Sequence, residues 1–204
     1  MNGLSEYMFL ESIRLENGLF SLLPFHQRRI DSTRKFYFGA KKNLLLTTFL
    51  NGLEIPQQGL YKCRVIYGMD FQDAEILPYT FKPINTLRLV IADDLAYSSK
   101  FADRQAITKL LDFRAGADDI LIIQQKRPTD TSYCNIAFFD GKNWITPRQA
   151  LLAGVQREYL LQEGIITKKV ISVSQLSQFK SFKLFNAMIP WNVAVEIPIV
   201  QILM

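Results

Sequence analysis

The sequence predicts an α+β fold made of two lobes. Predicted strands outnumber predicted helices, and the helices fall between groups of strands instead of alternating with them one for one. The length of 204 residues suits one ordinary domain or two small lobes. A short polar stretch then predicts where they divide: a smaller N-terminal lobe over residues 1–93, a hinge at 94–99 and a larger C-terminal lobe over 100–204.

The smaller lobe begins with a predicted hairpin. A strand over residues 7–15 leads through the turn Glu16-Asn17-Gly18 into a short strand over 19–22. A basic helix follows over 25–38, because Pro24 suits a first helical turn and Gly39 a helix end. The remaining predicted elements are a helix over 42–50 and strands over 60–67, 74–79 and 86–92.

The larger lobe mixes helices and strands in the same way. An apolar stripe predicts a helix over residues 103–113, and the apolar run 119–124 predicts a buried strand. A helix that starts through Gly154 is predicted over 153–162. Further strands are predicted over 132–139, 143–146, 165–173 and 184–189, with a last one over 193–203.

Composition excludes several classes of protein. Hydrophobic residues make up 49% of the chain and charged residues 21%, so the chain can bury a core and is not disordered. His26 is the only histidine, which rules out metal sites built from several histidines. Neither GxxxxGK[ST] nor GxGxxG occurs. If the protein is an enzyme, lysine, arginine, carboxylates or a bound cofactor must supply its chemistry.

Charge and cysteine content indicate the class of ligand and the cellular compartment. The net charge is +5, but the basic residues are scattered, which favours an anionic small ligand over a nucleic acid. Cys63 and Cys134 lie far apart and are expected to be buried free thiols in a reducing compartment. No apolar stretch approaches the roughly 18 to 20 residues of a membrane span. We therefore expect a cytoplasmic protein that does not bind membranes.

Three segments of the larger lobe carry residues that could act on one ligand. Lys100 lies between the hinge and an apolar helix, where it is either a partly desolvated nucleophile or a solvated lysine. Asp130 is a loop carboxylate that is either solvated, capping or functional. Gly154 opens a helix whose first amides, those of Val155 and Gln156, could hold a phosphate, although any helix start offers this.

Six segments, taken together, resemble the class IV aminotransferase family. Between about residues 10 and 189 they run in the order LESIRLENGLFSLLPFHQRRI, SSKFADRQAI, GADDILII, DTSYCNIAFFDGKNWITP, GVQR and FNAMIPW. The family comprises pyridoxal-phosphate enzymes of fold type IV, among them branched-chain aminotransferase, D-amino-acid aminotransferase and aminodeoxychorismate lyase. The resemblance implies the D-amino-acid aminotransferase-like architecture, with a small α/β lobe and a barrel-like sheet in the larger lobe. The segment FNAMIPW is most like the ending of the lyases.

The resemblance also implies a cofactor, pyridoxal 5'-phosphate, and the residues that hold it. Lys100 matches the lysine that carries the cofactor as a Schiff base and then acts as general base and acid. Asp130 matches the acidic partner of the pyridine nitrogen, although the family usually has the longer Glu there. Arg29 matches the arginine that binds the phosphate. The other phosphate contacts match Val155, Gln156, Asn186 and Ala187. His26 is expected to be a packing residue, and Asn135 to order the loop under the cofactor.

Substrate residues are less well defined by the sequence. Arg14, Lys62 and Arg64 could attract a substrate carboxylate, but the alternation of a solvated strand explains them equally well. The chain is shorter than typical members of the family. It also lacks their RGY-type segment, because the strand here ends Tyr67-Gly68-Met69-Asp70.

The resemblance leads to three functional hypotheses. The first is an aminodeoxychorismate lyase, which eliminates pyruvate and forms para-aminobenzoate for folate biosynthesis through Lys100. The second is a branched-chain or D-amino-acid transaminase that uses the same lysine. The third is a shortened homologue that binds cofactor or partner without turnover. In each case the resemblance implies a homodimer, and the first two imply a small amine or amino-acid substrate.

Overall fold

A computed structural model describes residues 7–204. Their contacts form two compact units, one comprising the described residues up to Phe81 with Ser99–Asp103, the other Lys82–Ser98 and Arg104–Met204. The predicted boundary at residue 93 follows composition, whereas these units follow strand pairing. Strand Leu87–Ile91 pairs with Asp119–Gln124 in the second unit, and Phe101 bridges to Phe9 in the first.

The first unit is an antiparallel sheet packed against a helix. Its strands lie in the order β2-β1-β3-β4. The elements are β1 (Phe9–Glu16), β2 (Leu19–Phe20), α1 (Leu23–Phe38), α2 (Leu46–Leu50), β3 (Leu60–Tyr67) and β4 (Phe71–Pro78). The hairpin predicted at the start is confirmed, because Asn17 and Gly18 both adopt the positive φ, 49° and 79°, of a tight turn.

Alternation along β1 and β3 builds the core of this unit. Phe9 and Ile13 lie on the same face of the sheet as Cys63 and Val65, their neighbours along β3, and all four are buried with Ile30 of α1. The predicted helix is confirmed, since α1 ends at Phe38 and Gly39 takes the left-handed conformation, φ 62°, that terminates it.

The second unit is built around a larger mixed sheet. Its strands are β5 (Leu87–Ile91), β6 (Asp119–Gln124), β7 (Arg127–Thr131), β8 (Asn135–Phe139), β9 (Trp144–Pro147), β10 (Thr167–Lys169), β11 (Ser181–Phe185), β12 (Glu196–Pro198) and β13 (Ile202–Leu203). They run in the order β10-β9-β8-β7-β6-β5-β13, with β11 joined to β8 and β12. The helices α3 (Gln105–Leu110) and α4 (Val155–Gln162) complete the unit. The α+β class is confirmed, and a barrel form of this sheet stays a prediction.

The structure corrects three predicted elements here. The strand predicted over 132–139 shortens to β8, because residues 132–134 form a turn in which the Thr131 amide donates to the Cys134 carbonyl at 2.9 Å. Strand β7, before that turn, is not predicted. The strand predicted over 165–173 shrinks to Thr167–Lys169, where β10 pairs with β9. A short 3₁₀ helix, Ile199–Gln201, interrupts the last predicted strand.

Two further findings concern the whole described chain. Within residues 7–204, no helix has both the length and the apolar character needed to cross a bilayer. Cys63 and Cys134 are buried and free, as the sequence predicts.

Candidate active site

Backbone pairing with β1 fixes the position of Lys100. The Leu10 amide donates to the Lys100 carbonyl at 2.9 Å, and the Ala102 amide donates to the Met8 carbonyl at 2.8 Å. Between them the Phe101 ring packs against Phe9, with ring centroids 5.2 Å apart. The Lys100 side chain is half-buried. The segment that carries this lysine is therefore held on the strand that also carries Glu11.

Arg29 makes a two-pronged ion pair with Glu11. On α1, the Arg29 Nε donates to Glu11 Oε1 at 2.8 Å and its Nη2 donates to Glu11 Oε2 at 2.5 Å. His26, one turn earlier on the same helix, places its Nδ1 2.5 Å from Glu11 Oε2. A fork of this kind fixes the plane of a guanidinium as well as its position.

The charges in this cluster follow from burial and pairing. Burial by itself raises the pKa of Glu11, but the Arg29 charge and the hydrogen bonds from Arg29 and His26 outweigh it and lower the pKa to about 2. Burial lowers the pKa of His26, and Glu11 only partly opposes it. At neutral pH the cluster therefore holds a carboxylate, a guanidinium and a neutral imidazole whose Nδ1 carries the proton shared with Glu11.

The motifs of the sequence do not point to Glu11, the buried residue that contacts both Arg29 and His26. The core face of β1 reads Phe9, Glu11, Ile13 and Leu15, and all four side chains are fully buried. A charged residue at one position of an otherwise apolar face requires a charged partner. The signal was present in the alternation of FLESIRL, and Arg29 and His26 are the partners that it requires.

Asp130 is the centre of a second cluster, at the end of β7. It is buried, and its Oδ1 accepts from Asn135 Nδ2 at 2.9 Å while its Oδ2 accepts from the Leu152 amide at 2.8 Å. Asn135 Nδ2 also donates to the Leu152 carbonyl at 3.0 Å. These bonds tie Asn135 to Leu152, and its expected place under the cofactor stays a prediction.

The start of α4 lies against the same asparagine. A Cβ added to Gly154 would come within 2.0 Å of Asn135 Oδ1, so the glycine allows a close approach of backbone to side chain. Val155 and Gln156 follow as the first residues of α4 and are buried. The first amides of a helix have no carbonyl within the helix to donate to, and they attract anions.

Asn186 closes the cluster from β11. Its Nδ2 donates to the Tyr133 carbonyl at 3.2 Å, and its Oδ1 accepts from the Met188 amide at 2.8 Å. Ala187 lies in the tight turn that these bonds define, between Asn186 and Ile189, which bridge to each other. Asn135 joins Asp130 to the start of α4, and Phe185, the residue before Asn186, pairs with Asn135 across β8 and β11. That all the predicted cofactor residues of this unit contact one ligand stays a prediction.

The charge of Asp130 is held differently from that of Glu11. Burial raises the pKa of Asp130 to about 6, because the bonds from the Leu152 amide and Asn135 and the Arg157 charge offset the lost hydration only in part. The carboxylate has about four acceptor sites, more than the bonds from Asn135, Leu151 and Leu152 use. A protonated ring nitrogen beside Asp130 would therefore stabilise its carboxylate by a hydrogen bond and by charge.

The three candidate substrate residues share the opposite face of the first sheet. Arg14 and Lys62 are paired across β1 and β3. Arg14 is buried and contacts Glu16 at 2.9 Å, while Arg64 contacts Glu75 at 2.9 Å. The structure places them with each other but on the face away from Glu11 and Arg29. Their part in substrate binding stays a prediction, as does the meeting of the two clusters in one site.

A family model and a known protein both match the chain. Residues 113–197 match the sequence model of the family described as amino-transferase class IV. An uncharacterised protein of Haemophilus influenzae is 35% identical over 185 residues, which are 89% of this chain and 98% of that protein.

Solved structures extend the similarity to the fold. A structure from Haemophilus somnus 129pt, provisionally named a 4-amino-4-deoxychorismate lyase, is 33% identical with a TM-score of 0.82 and covers 91% of this chain and 98% of its own. A provisionally named amino-acid aminotransferase from Mesorhizobium loti has a TM-score of 0.76 at 20% identity, over 95% of this chain and 98% of its own. The predicted fold type is thereby confirmed.

Proposed function

The chain belongs to the class IV aminotransferase family, and we propose that it is a pyridoxal-phosphate enzyme that eliminates pyruvate from aminodeoxychorismate to form para-aminobenzoate. The family consists of enzymes and depends on this cofactor. The observation that carries the finer proposal is the 33% identity, over 91% of the chain, to the Haemophilus somnus protein that is provisionally named for this reaction. The lyase-like segment FNAMIPW supports it.

The residues present fit pyridoxal phosphate. A phosphate needs oriented donors, and Arg29 is oriented by Glu11 while the α4 amides begin after a glycine that packs against Asn135. A pyridine nitrogen needs an anionic acceptor, and Asp130 is a buried carboxylate with spare lone pairs. A covalent attachment needs an amine on an ordered segment, and Lys100 is tied to β1.

The proposed reaction assigns roles to Lys100, Asp130, Arg29 and the first amides of α4. When bound, the cofactor supplies an electron-withdrawing ring that stabilises negative charge on the amine-bearing carbon of the substrate. The Nζ of Lys100 would hold the cofactor and, as a free amine, would take the proton from that carbon. The Asp130 carboxylate would accept a hydrogen bond from the protonated ring nitrogen. Arg29 and the first α4 amides would bind the phosphate. The bond between the ring and the enolpyruvyl oxygen would then break, the Lys100 ammonium would return the proton to the leaving enolate to give pyruvate, and the ring of the product would become aromatic.

Transamination would use the same residues, so the test must separate the two reactions. Pyruvate release from aminodeoxychorismate is measured for the wild type, for Lys100→Ala and for Lys109→Ala, a control that removes an exposed lysine of α3. We expect release by the wild type and the control, and a loss of about a thousandfold or more in Lys100→Ala. An amino-acid-dependent conversion of an added keto acid, without pyruvate release, would favour the transaminase.

A second measurement tests the attachment itself. Borohydride reduction followed by digestion and mass spectrometry should place the cofactor mass on the peptide that contains Lys100, and Lys109 should remain unmodified. A protein that takes up no cofactor would instead favour the homologue without turnover. Size measurement of the intact protein tests the homodimer that we also propose.

A further inference from the structure

We propose that Glu11 is a positioning residue, which together with His26 fixes the guanidinium of Arg29 in the orientation that receives the cofactor phosphate. The inference rests on the proposed function, because it takes Arg29 as a phosphate ligand. It goes beyond that function because it assigns a task to two buried residues that touch neither substrate nor cofactor in the proposed roles.

The edge of the guanidinium that contacts Glu11 is the first argument. Glu11 bonds to Nε and Nη2, so the carboxylate occupies the side edge of the planar group. Because a guanidinium is planar and rigid, this fork also fixes the directions in which its other N–H bonds point. An arginine side chain otherwise loses considerable rotamer entropy on binding a phosphate, and a bond that fixes its plane beforehand removes part of that loss.

The position of His26 is the second argument. His26 and Arg29 are separated by three residues on α1, so both side chains project from one face of the helix towards β1. Oε2 of Glu11 is shared by His26 Nδ1 and Arg29 Nη2, and both lie 2.5 Å from it. The imidazole and the carboxylate are both fully buried, so the bond between them is shielded from water. The fork therefore rests on an acceptor that cannot rotate away.

A purely neutralising role for Glu11 makes the opposite prediction. If Glu11 served only to balance the Arg29 charge, its removal would leave Arg29 more attractive to a phosphate dianion, and phosphate-dependent binding would strengthen. If Glu11 orients Arg29, its removal frees the guanidinium and phosphate-dependent binding weakens. The sign of the change separates the two roles.

The experiment compares two ligands that differ only in the phosphate. Apoprotein of the wild type, Glu11→Gln and Glu75→Gln is titrated with pyridoxal phosphate and with pyridoxal, and the ratio of the two Kd values is taken. Glu75→Gln is the control, since it removes the partner of Arg64 in the exposed ion pair of the same sheet. We expect Glu11→Gln to lower the preference for the phosphorylated ligand about tenfold, with pyridoxal binding unchanged. Glu75→Gln should leave the preference unchanged.

The outcomes distinguish this inference from the proposed function. An unchanged or increased preference in Glu11→Gln overturns the positioning role while the function stands, and an equal loss for both ligands does the same because it indicates a structural role only. A wild type that binds no pyridoxal phosphate removes both proposals. If Glu11→Gln does not fold, Glu11→Asp, which keeps the charge but withdraws it by one methylene, must lower the preference instead, and an unchanged preference there also overturns the inference.

Discussion

Glu11 in the first unit and Asp130 in the second are both buried carboxylates, yet their pKa values move in opposite directions. That of Glu11 falls to about 2, and that of Asp130 rises to about 6. Both lose hydration to burial. The difference is that Glu11 contacts a guanidinium directly, whereas Asp130 accepts from neutral amides and the Arg157 charge only partly offsets its burial.

The comparison shows how one kind of side chain can serve two purposes. A carboxylate whose charge is already satisfied is a fixed anchor, which suits the orientation of another residue. A carboxylate whose charge is only partly satisfied gains from a cation that arrives later, which suits the partner of a protonated ring nitrogen. In this chain the first stands on a strand beside a basic helix, and the second ends a strand before a tight turn.

Removal of the cation that contacts Glu11 is expected to have the largest effect on stability. Arg29→Met leaves a buried carboxylate with only His26 beside it, and we expect the free energy of unfolding at pH 7 to fall by about 3–5 kcal/mol. Urea unfolding measures this. Arg64→Met, which breaks the exposed pair with Glu75, should change it by about 1 kcal/mol or less. Equal effects of the two substitutions would contradict the view that Glu11 depends on Arg29.

The two carboxylates should change the free energy of unfolding in opposite directions as the pH rises. Glu11, depressed from 4.5, stabilises the fold above about pH 4.5, and this contribution is lost as the pH falls towards about 2. Asp130, raised from 3.8, stabilises the fold below about pH 4, and this contribution is lost as the pH rises through about 6.

Unfolding free energies measured from pH 2 to 8 test both signs. The unfolding free energy of the wild type minus that of Glu11→Gln should rise by up to about 3 kcal/mol as the pH rises from 2 to 5. The unfolding free energy of the wild type minus that of Asp130→Asn should fall by up to about 3 kcal/mol as the pH rises from 4 to 7. Two differences that change in the same direction would refute the contrast between the sites.

The sequence predicts much of this fold because its patterns are local. Strand β3 is confirmed with the predicted bounds, Leu60–Tyr67, since apolar and charged residues alternate along it, and β6 is confirmed as the apolar run Asp119–Gln124. Strand β7 is missed because Gln125 and Lys126 both take positive φ, 50° and 61°, in a hairpin turn without glycine. Nothing in that dipeptide signals such a turn.

The candidate site is predicted less completely, for a different reason. Lys100, Arg29 and Asp130 come from motifs that resemble a family, and such motifs name individual residues. Their supports are set by tertiary contacts: Glu11 reaches Arg29 from 18 positions away in the chain, and the Leu152 amide reaches Asp130 from 22. A buried charge in an apolar alternation was the available signal for Glu11, but no pattern marks a backbone amide as a partner.

The smallest predicted effect concerns the support of Asp130. Gly154→Ala places a Cβ where Asn135 Oδ1 lies, within 2.0 Å, so Asn135 must move and weaken its bond to Asp130. We expect the free energy of unfolding to fall by about 1–3 kcal/mol and cofactor affinity to weaken with it. Gly52→Ala is the control, because its Cβ would meet only the Phe49 carbonyl at 3.4 Å. The carboxylate of Glu11 is stabilised by Arg29 and does not contact Gly154. The loss of unfolding free energy below about pH 4.5, which we assign to Glu11, should therefore be unchanged in Gly154→Ala. A change there would mean that the two carboxylates do not act independently.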